Sequence, residues 1–358
     1  MTWYPRNKYC WDFWFAWEGQ TLHVFYLQAS QLMCAYNADR RHGLASVGHA
    51  VLTDFGWKEI DPDKPVLEKR EGNFWDNMAI WTGSIIQEDN LYYLFYTARR
   101  REDLLVQTPH ERRLPQNIGV ATSKDLRNWT RTPATLKKPV IPNPGIKSEF
   151  DGSNWRDPHV IKDHIDGKYY AFICARPRES AEDVGGVIAI ATSSNLSDWQ
   201  EEPYKILYQS DQFYLMEVPQ VFWRKTNDGK YWRFYLLFGP HWSPFFINEV
   251  PIGVTYYVRS QPIKDRTKVS YDRIPWEDEP ANMLCKNFYV GKFVNPETET
   301  YPAFFGFRKQ DEGGHFVGGI SDPQWASFAD DGTISLSDFK PELNFALIAK
   351  SSYSNEIK

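Results

Sequence analysis

The chain has 358 residues, enough for a sizeable core, and its 41 basic and 46 acidic residues leave a formal net charge of −5 with the two signs interspersed. No basic stripe is present to track a phosphate backbone, which argues against nucleic acid as a partner. No window reaches the ~18 uninterrupted apolar residues of a membrane span, and the 16% aromatic share, with 15 Trp and 20 Tyr, favours pleated β surfaces that also offer flat faces to sugar rings.

The amino terminus, MTWYPRNKYCWDFWFAWEG, breaks its apolar run at Asp12 and carries no small-residue cleavage site. It is not read as a signal peptide, and the expected location is the cytoplasm. Cys10, Cys34, Cys174 and Cys285 are scattered without a CxxC pair or a matching His cluster, so four buried thiols are expected rather than a zinc site or a disulfide framework.

From there the chain repeats itself. Runs of alternating aromatic and aliphatic residues, each opened by a polar turn, occur at 19–29, 88–98, 166–175 and 227–239, with a less regular one at 300–308. Alternation bounded by Gly, Asn and Asp predicts strands joined as hairpins. After three of these runs comes a segment that ends on Trp, at 46–60, 118–131 and 187–201. Trp57, Trp129 and Trp199 fall 72 and 70 residues apart, and a weaker copy at 318–328 contains Trp325.

A unit of about 70 residues holding some four short strands fits a β-propeller blade, and five hairpins predict five blades. The expected fold is therefore all-β, a single five-bladed propeller over 1–358. A β-sandwich would not repeat a Trp-terminated strand at this period.

The repeat singles out three acids. Asp12 precedes Phe25 by 13, Asp157 precedes Tyr170 by 13, and Glu217 precedes Tyr235 by 18, while Thr82 precedes Leu94 by 12. These residues are expected at comparable points on the inner strands of different blades, converging at one mouth of the channel. Any one acid alone reads best as a salt bridge or turn cap, but three at similar register, each among aromatic neighbours, point to a site. Paired carboxyl groups suit glycosidic cleavage, in which one protonates the leaving oxygen and another attacks or stabilises an oxocarbenium-like carbon.

Trp11, Trp14, Trp81, Phe74 and Trp75 are candidate pocket walls, with strand packing the alternative for each. Arg156 reads either as a partner of Asp157 or substrate, or as a tie between blades. Asp76 is a candidate substrate contact against a solvated loop.

These residues resemble the levansucrase and invertase families, clan J of the glycoside hydrolases. Cys10-Trp11-Asp12-Phe13-Trp14 is similar to the motif carrying the nucleophile, and Trp155-Arg156-Asp157-Pro158-His159 to the Arg-Asp-Pro motif. Glu217-Val218-Pro219 resembles the acid/base motif, and Trp81-Thr82-Gly83-Ser84 the substrate-pocket motif. The resemblance implies Asp12 as nucleophile, Asp157 as transition-state stabiliser and Glu217 as acid/base, kept protonated by Tyr214, Leu215 and Met216. It also implies substrate contacts from Trp11, Trp14, Trp81, Thr82, Ser84, Arg156 and Asp76, and retaining cleavage of β-fructofuranosides such as sucrose by hydrolysis or transfer.

Phe13 and Val218 depart from the family pattern, and no appended β-sandwich follows the propeller. The competing readings are an inverting arabinofuranosidase- or xylosidase-like propeller and a non-catalytic sugar-binding propeller. Neither a phosphate-cradling loop, a dinucleotide fingerprint nor metal-ligand spacing occurs, so no cofactor or metal is expected.

Overall fold

In the computed structural model, residues 2–101, 115–180, 184–200, 202–241, 253–277 and 280–337 are described. Residues 338–358, part of the expected 1–358 unit, lie outside them. Five antiparallel sheets follow one another along the chain as the blades of a β-propeller. Blade 1 consists of Lys8–Glu18, Thr21–Ser30, Ser46–Thr53 and Gly56–Glu59. Blade 2 is Ala79–Glu88, Leu91–Arg99, Gln116–Ser123 and Thr130–Arg131. Blade 3 is Phe150–Lys162, Tyr169–Pro177, Gly186–Ser193 and Lys205–Ser210. Blade 4 is Leu215–Lys225, Trp232–His241, Thr255–Arg259 and Asn282–Cys285. Blade 5 is Tyr289–Phe293, Ala303–Gln310, Gln324–Phe328 and Ile334–Ser337, with Phe316–Gly318 flanking its second strand.

Each expected aromatic run is the second strand of a blade. The first and second strands of blade 2 are joined by Asp89 and Asn90 alone, at φ 49° and 59°, the paired left-handed residues that a two-residue hairpin needs. Tyr169–Pro177 is buried along its whole length because blades 2 and 4 cover both its faces. Of the four thiols, Cys10, Cys34 and Cys174 are buried as expected, whereas Cys285 is half-exposed.

The repeated tryptophans are wedges between blades. Trp129 of blade 2 meets Phe25 of blade 1 edge-on, with ring centres 5.8 Å apart, and Trp199 of blade 3 meets Phe95 of blade 2 at 5.4 Å. Trp57 of blade 1 meets Phe305 of blade 5 at 5.7 Å. The two remaining seams use Tyr271 on Phe172 at 5.7 Å and Phe328 on Tyr235 at 5.3 Å. Trp325 is not a copy of these, since it lies within the third strand of its blade rather than beyond it.

The turn before the wedge explains the repeated Ser-x-Asp/Asn-Leu spacing. Asp125 accepts from the backbone N–H groups of Arg127 and Asn128, as Asn195 does from Ser197 and Asp198. Leu126 and Leu196 follow at positive φ, and their carbonyls accept the indole N–H of Trp129 and Trp199.

Inner strands of neighbouring blades touch all the way around, closing the ring. Closure is sealed by Thr2–Trp3, which pairs with Ile320–Ser321. Gly318 makes room for this seam: at φ 74°, a Cβ there would stand 2.2 Å from the Cys10 carbonyl oxygen. No helix among the described residues is long and apolar enough to cross a membrane.

Trp199 is fully buried, so Trp199→Ala is expected to cost about 3–5 kcal/mol through lost contacts and a residual cavity. In a calorimetric melt this appears as a midpoint lowered by roughly 5–10 °C. Phe55→Ser, at a fully exposed turn, is the control and is expected to leave the midpoint within about 1 °C.

Candidate active site

The site is built on one local irregularity repeated five times. Every inner strand carries a one-residue β-bulge at the same register, at Asp12, Thr82, Asp157-Pro158, Val218-Pro219 and Val290-Gly291. A bulge re-aims the side chains beside it, and five at one level turn them into the same mouth. Asp12, Asp157, Val218 and Val290 have φ of 26°, 58°, 52° and 42°, a left-handed backbone that is costly for the two β-branched valines. Gly83 follows the Thr82 bulge because a Cβ there would lie 2.0 Å from the Phe95 carbonyl oxygen.

This register corrects one expectation. Asp12 and Asp157 are the bulged residues of blades 1 and 3, with Thr82 their counterpart in blade 2. Glu217 instead precedes its bulge, in the position held by Trp11, Trp81, Arg156 and Tyr289 elsewhere. The three acids still meet, because both positions face the same cavity of about 520 Å³.

Hydrogen bonds hold each acid. Thr82 donates its hydroxyl to Asp12 at 2.5 Å. The backbone N–H of Val218 donates to Asp157 at 3.1 Å, and the Asp157 N–H donates to the Thr97 hydroxyl, which in turn donates to the Thr82 carbonyl. Glu217 accepts from Arg156 at 2.7 Å and from the Tyr289 hydroxyl at 2.5 Å. Arg156 lies 3.6 Å from Asp157 and also donates to Gln116 and Asn154, so it serves two acids while bridging blades 2, 3 and 4. Both readings of Arg156 therefore hold in part, as an ion-pair partner and as an inter-blade tie.

The three carboxyl groups differ in electrostatics. Burial pushes Asp12 up to about 6, an effect that the Thr82 hydrogen bond opposes and the Glu217 charge reinforces. Burial also raises Asp157 to about 7 against the pull of Arg156, with Asp12 and Glu217 adding to the rise. For Glu217 burial acts upward too, but His241, Arg156, Lys309 and the Tyr289 hydroxyl outweigh it and hold the carboxyl well below the usual range. The expectation that Tyr214, Leu215 and Met216 keep Glu217 protonated is thus overturned. Their apolar surroundings are real, since all three are buried, but cations and a phenol reach the carboxylate first.

Below the bulges the channel holds Lys292, whose ammonium donates to the Val218 and Pro219 carbonyls at 3.0 and 2.8 Å. Burial lowers it to about 7, while the charges of Asp157 and Asp12 pull the other way.

Trp11, Trp81, Thr82 and Arg156 line the cavity. Trp14 and Ser84 do not, because they lie two residues beyond their bulges and face a second cavity of about 380 Å³. Trp14 stacks on Phe25, and the Ser84 hydroxyl accepts from the Val160 N–H at 2.9 Å. Asp76 is fully buried and held by Arg70, Arg131 and the Tyr96 hydroxyl, so it is structural. Trp75 stacks on Tyr96 and Phe74 underlies Arg70, which removes both from the pocket wall.

Tyr289, Arg41, Arg99, Asn154 and Lys309 line the cavity without having been expected there. Tyr289-Val290-Gly291 parallels Trp81-Thr82-Gly83, a signal present in the sequence. Arg41 stands on the turn Ala38–Gly43 and Lys309 near the end of its strand, places that no repeat marks. Among the described residues no group of three or more His, Cys, Asp or Glu side chains is arranged to hold a metal ion.

Known proteins share this fold. The solved sucrose-6-phosphate hydrolase from Lactobacillus gasseri superposes with a TM-score of 0.68 at 18% identity, over 95% of this chain and 63% of that one. The inulosucrase from Halalkalicoccus jeotgali bound to kestose gives 0.63 at 18% identity, over 94% and 90%. At these identities the likeness is one of fold.

In sequence, a 1,2-beta-oligomannan phosphorylase of Thermoanaerobacter sp. (strain X514) is 32% identical over 142 residues, 39% of this chain and 42% of that protein. The sucrose-6-phosphate hydrolase of Lactococcus lactis subsp. lactis is 25% identical over 182 residues, 50% of this chain and 33% of that protein. The chain thus spans less than half the length of these two curated relatives. The profile of the glycosyl hydrolases family 32 N-terminal domain matches residues 17–295, a span that contains Asp157 and Glu217 and begins five residues after Asp12. That match covers well over half of the chain, and the protein belongs to glycosyl hydrolase family 32.

Proposed function

We propose that this family 32 enzyme is a retaining glycosidase that cleaves β-fructofuranosides, with Asp12 as nucleophile, Asp157 as stabiliser and Glu217 as acid/base. The observation that carries the reading is the convergence of these three carboxyl groups on one cavity, each held by a different environment. Asp12 is oriented by Thr82 and half-exposed to the cavity, as a nucleophile must be. Asp157 is buried and fixed through Thr97 and Val218, which suits a group that holds sugar hydroxyls without reacting.

Glu217 needs a proton to begin the cycle. His241, Arg156, Lys309 and Tyr289 favour its ionised form, while Asp12 and Asp157, raised to about 6 and 7, are the carboxyl groups that hold protons more readily near neutrality. Substrate entry supplies the change: sugar hydroxyls compete for Arg156 and Tyr289, and loss of those partners lets Glu217 take up the proton. Glu217 then protonates the leaving oxygen while Asp12 attacks the anomeric carbon. In the second half it removes a proton from the incoming water or sugar hydroxyl.

The relatives named for sucrose 6-phosphate make fructosides the first donors to try. Glu217→Gln is expected to lower kcat on the accepted fructoside by about 10²–10⁴-fold, as loss of a general acid/base does. Turnover within threefold of the parent removes Glu217 from the chemistry. Run in methanol–water, a retaining enzyme gives the methyl β-fructofuranoside. The α-anomer would replace retention by inversion, and turnover of arabinofuranosides alone would replace the donor class.

The pH profile tests Asp12 separately. Asp12 must be ionised to attack, so kcat/KM is expected to fall as pH drops below about 6. The Thr82 hydrogen bond favours the charged form, so Thr82→Val is expected to move this acid limb to higher pH. A limb that stays in place would detach Thr82 from the nucleophile's ionisation.

A further inference from the structure

The cavity is lined by four cations, Arg41, Arg99, Arg156 and Lys309, against three carboxyl groups. Arg156 is engaged with Glu217 and Asp157. Arg41 and Lys309 form no ion pair among the described residues. Arg41 donates once, to the Ala38 carbonyl at 2.8 Å, and leaves its Nε buried without a hydrogen-bond partner. Its guanidinium lies 3.9 Å above the Phe316 ring and 5.5 Å from Trp11. The Lys309 ammonium rests 4.1 Å above Tyr289, and Arg99 lies 4.7 Å above Trp81.

These three cations come from blades 1, 2 and 5, with Arg41 and Arg99 over Trp11 and Trp81 and Lys309 over Tyr289, the phenol that donates to Glu217. An aromatic face returns about 0.5–2 kcal/mol to a cation, which does not offset the loss of water around a half-buried charge. Burial accordingly lowers the pKa of both Arg41 and Lys309. A neutral furanoside makes no use of such a surplus. A phosphate dianion does, because it offers two charges and several acceptor oxygens to guanidinium forks and an ammonium.

We propose that Arg41, Lys309 and Arg99 form a phosphoryl-binding subsite in this cavity. The subsite deepens the fructosidase reading and rests on it for the reaction served, but not for the binding. One chemistry has two sources here. The phosphate is carried on the donor as an ester of the leaving sugar, or it enters free as the acceptor. In the second case the C2–O bond of the fructosyl–Asp12 ester breaks as an oxygen of hydrogen phosphate bonds to C2. Asp12 then leaves as a carboxylate, and Glu217 takes the phosphate proton, giving fructosyl phosphate.

The test is titration calorimetry of the whole protein with inorganic phosphate at low ionic strength, beside its Arg41→Gln and Lys309→Gln variants. Saturable binding weakened about 10- to 100-fold in each variant is expected, the size of one lost charge-assisted hydrogen bond. A circular dichroism spectrum and melt like those of the parent keep a folding defect apart from a lost contact. Two arms then separate the sources. A kcat/KM for sucrose 6-phosphate at least tenfold above that for sucrose, with this preference falling in both variants, assigns the phosphate to the donor. Phosphorus NMR of a sucrose reaction in phosphate buffer that shows fructosyl phosphate assigns it to the acceptor.

Fructoside turnover with no phosphate binding, no donor preference and no phosphorylated product overturns the subsite and leaves the glycosidase standing. Phosphate binding lost in the variants but without turnover of any fructoside keeps the subsite and overturns the fructosidase reading.

Discussion

A strand that alternates strictly sends every second side chain to the same face, and five such strands around a channel would give it uniform walls. The one-residue bulge shared by all five inner strands breaks that uniformity at a single level. Trp11, Trp81, Arg156, Glu217 and Tyr289, each just before its bulge, open to one cavity, while Trp14, Ser84, His159 and Gln220 beyond the bulges face the other. The bulges are strained, with valines at positive φ in blades 4 and 5, and the neighbours hold them there. Lys292 grips both carbonyls of the Val218-Pro219 bulge, and Gln220 exchanges two hydrogen bonds with the Phe293 backbone to lock blade 4 against blade 5. Strain of this kind persists only where the surrounding structure over-determines it.

The same device settles how three carboxyl groups share a buried space. Ionised acids at close quarters repel, and each must be neutralised by protonation or by a partner. Glu217 is matched by Arg156, with Tyr289 as a neutral donor. Asp157 has Arg156 at 3.6 Å and Asp12 the charges of Arg41 and Lys292, but burial outweighs them and keeps both acids nearer the neutral form. Arg156 is the hinge of this distribution, because it touches two of the acids and is itself fixed by Gln116 and Asn154. A buried ion pair stripped of one member leaves an uncompensated charge, so this set works as a unit.

Much of the fold was legible because its repeat is chemical as well as periodic. Trp57, Trp129 and Trp199 recur because each fills the same gap against a Phe of the preceding blade. Where Tyr271 and Phe328 take that role the periodicity faded, and Trp325 imitated it by accident. Asp12, Asp157 and Glu217 could be read from their motifs, but the offset of Glu217 could not. Counting from hairpins treats all blades as equal, whereas blade 4 joins its first two strands through residues 226–231 and Glu217 stands one residue before its bulge. Trp14 and Ser84 were misplaced for a related reason: sequence proximity to Asp12 and Thr82 does not reveal that the bulge turns the next residues to the opposite cavity. Asp76 looked available because nothing in a linear sequence shows Arg70 and Arg131 closing over it. Arg41 and Lys309 were invisible because they reach the cavity from a turn and a strand end, outside any repeat.

The seam between Thr2–Trp3 and Ile320–Ser321 joins segments separated by more than 300 residues. During synthesis Asp12 leaves the ribosome well before Tyr289 and Lys309. Until blade 5 docks, Glu217 lacks its phenol donor, the cavity lacks Lys309, and the channel lacks Lys292. A nascent or interrupted chain therefore carries all three acids without the environment that differentiates them. The environment that tells the three acids apart is complete only once the circle is closed.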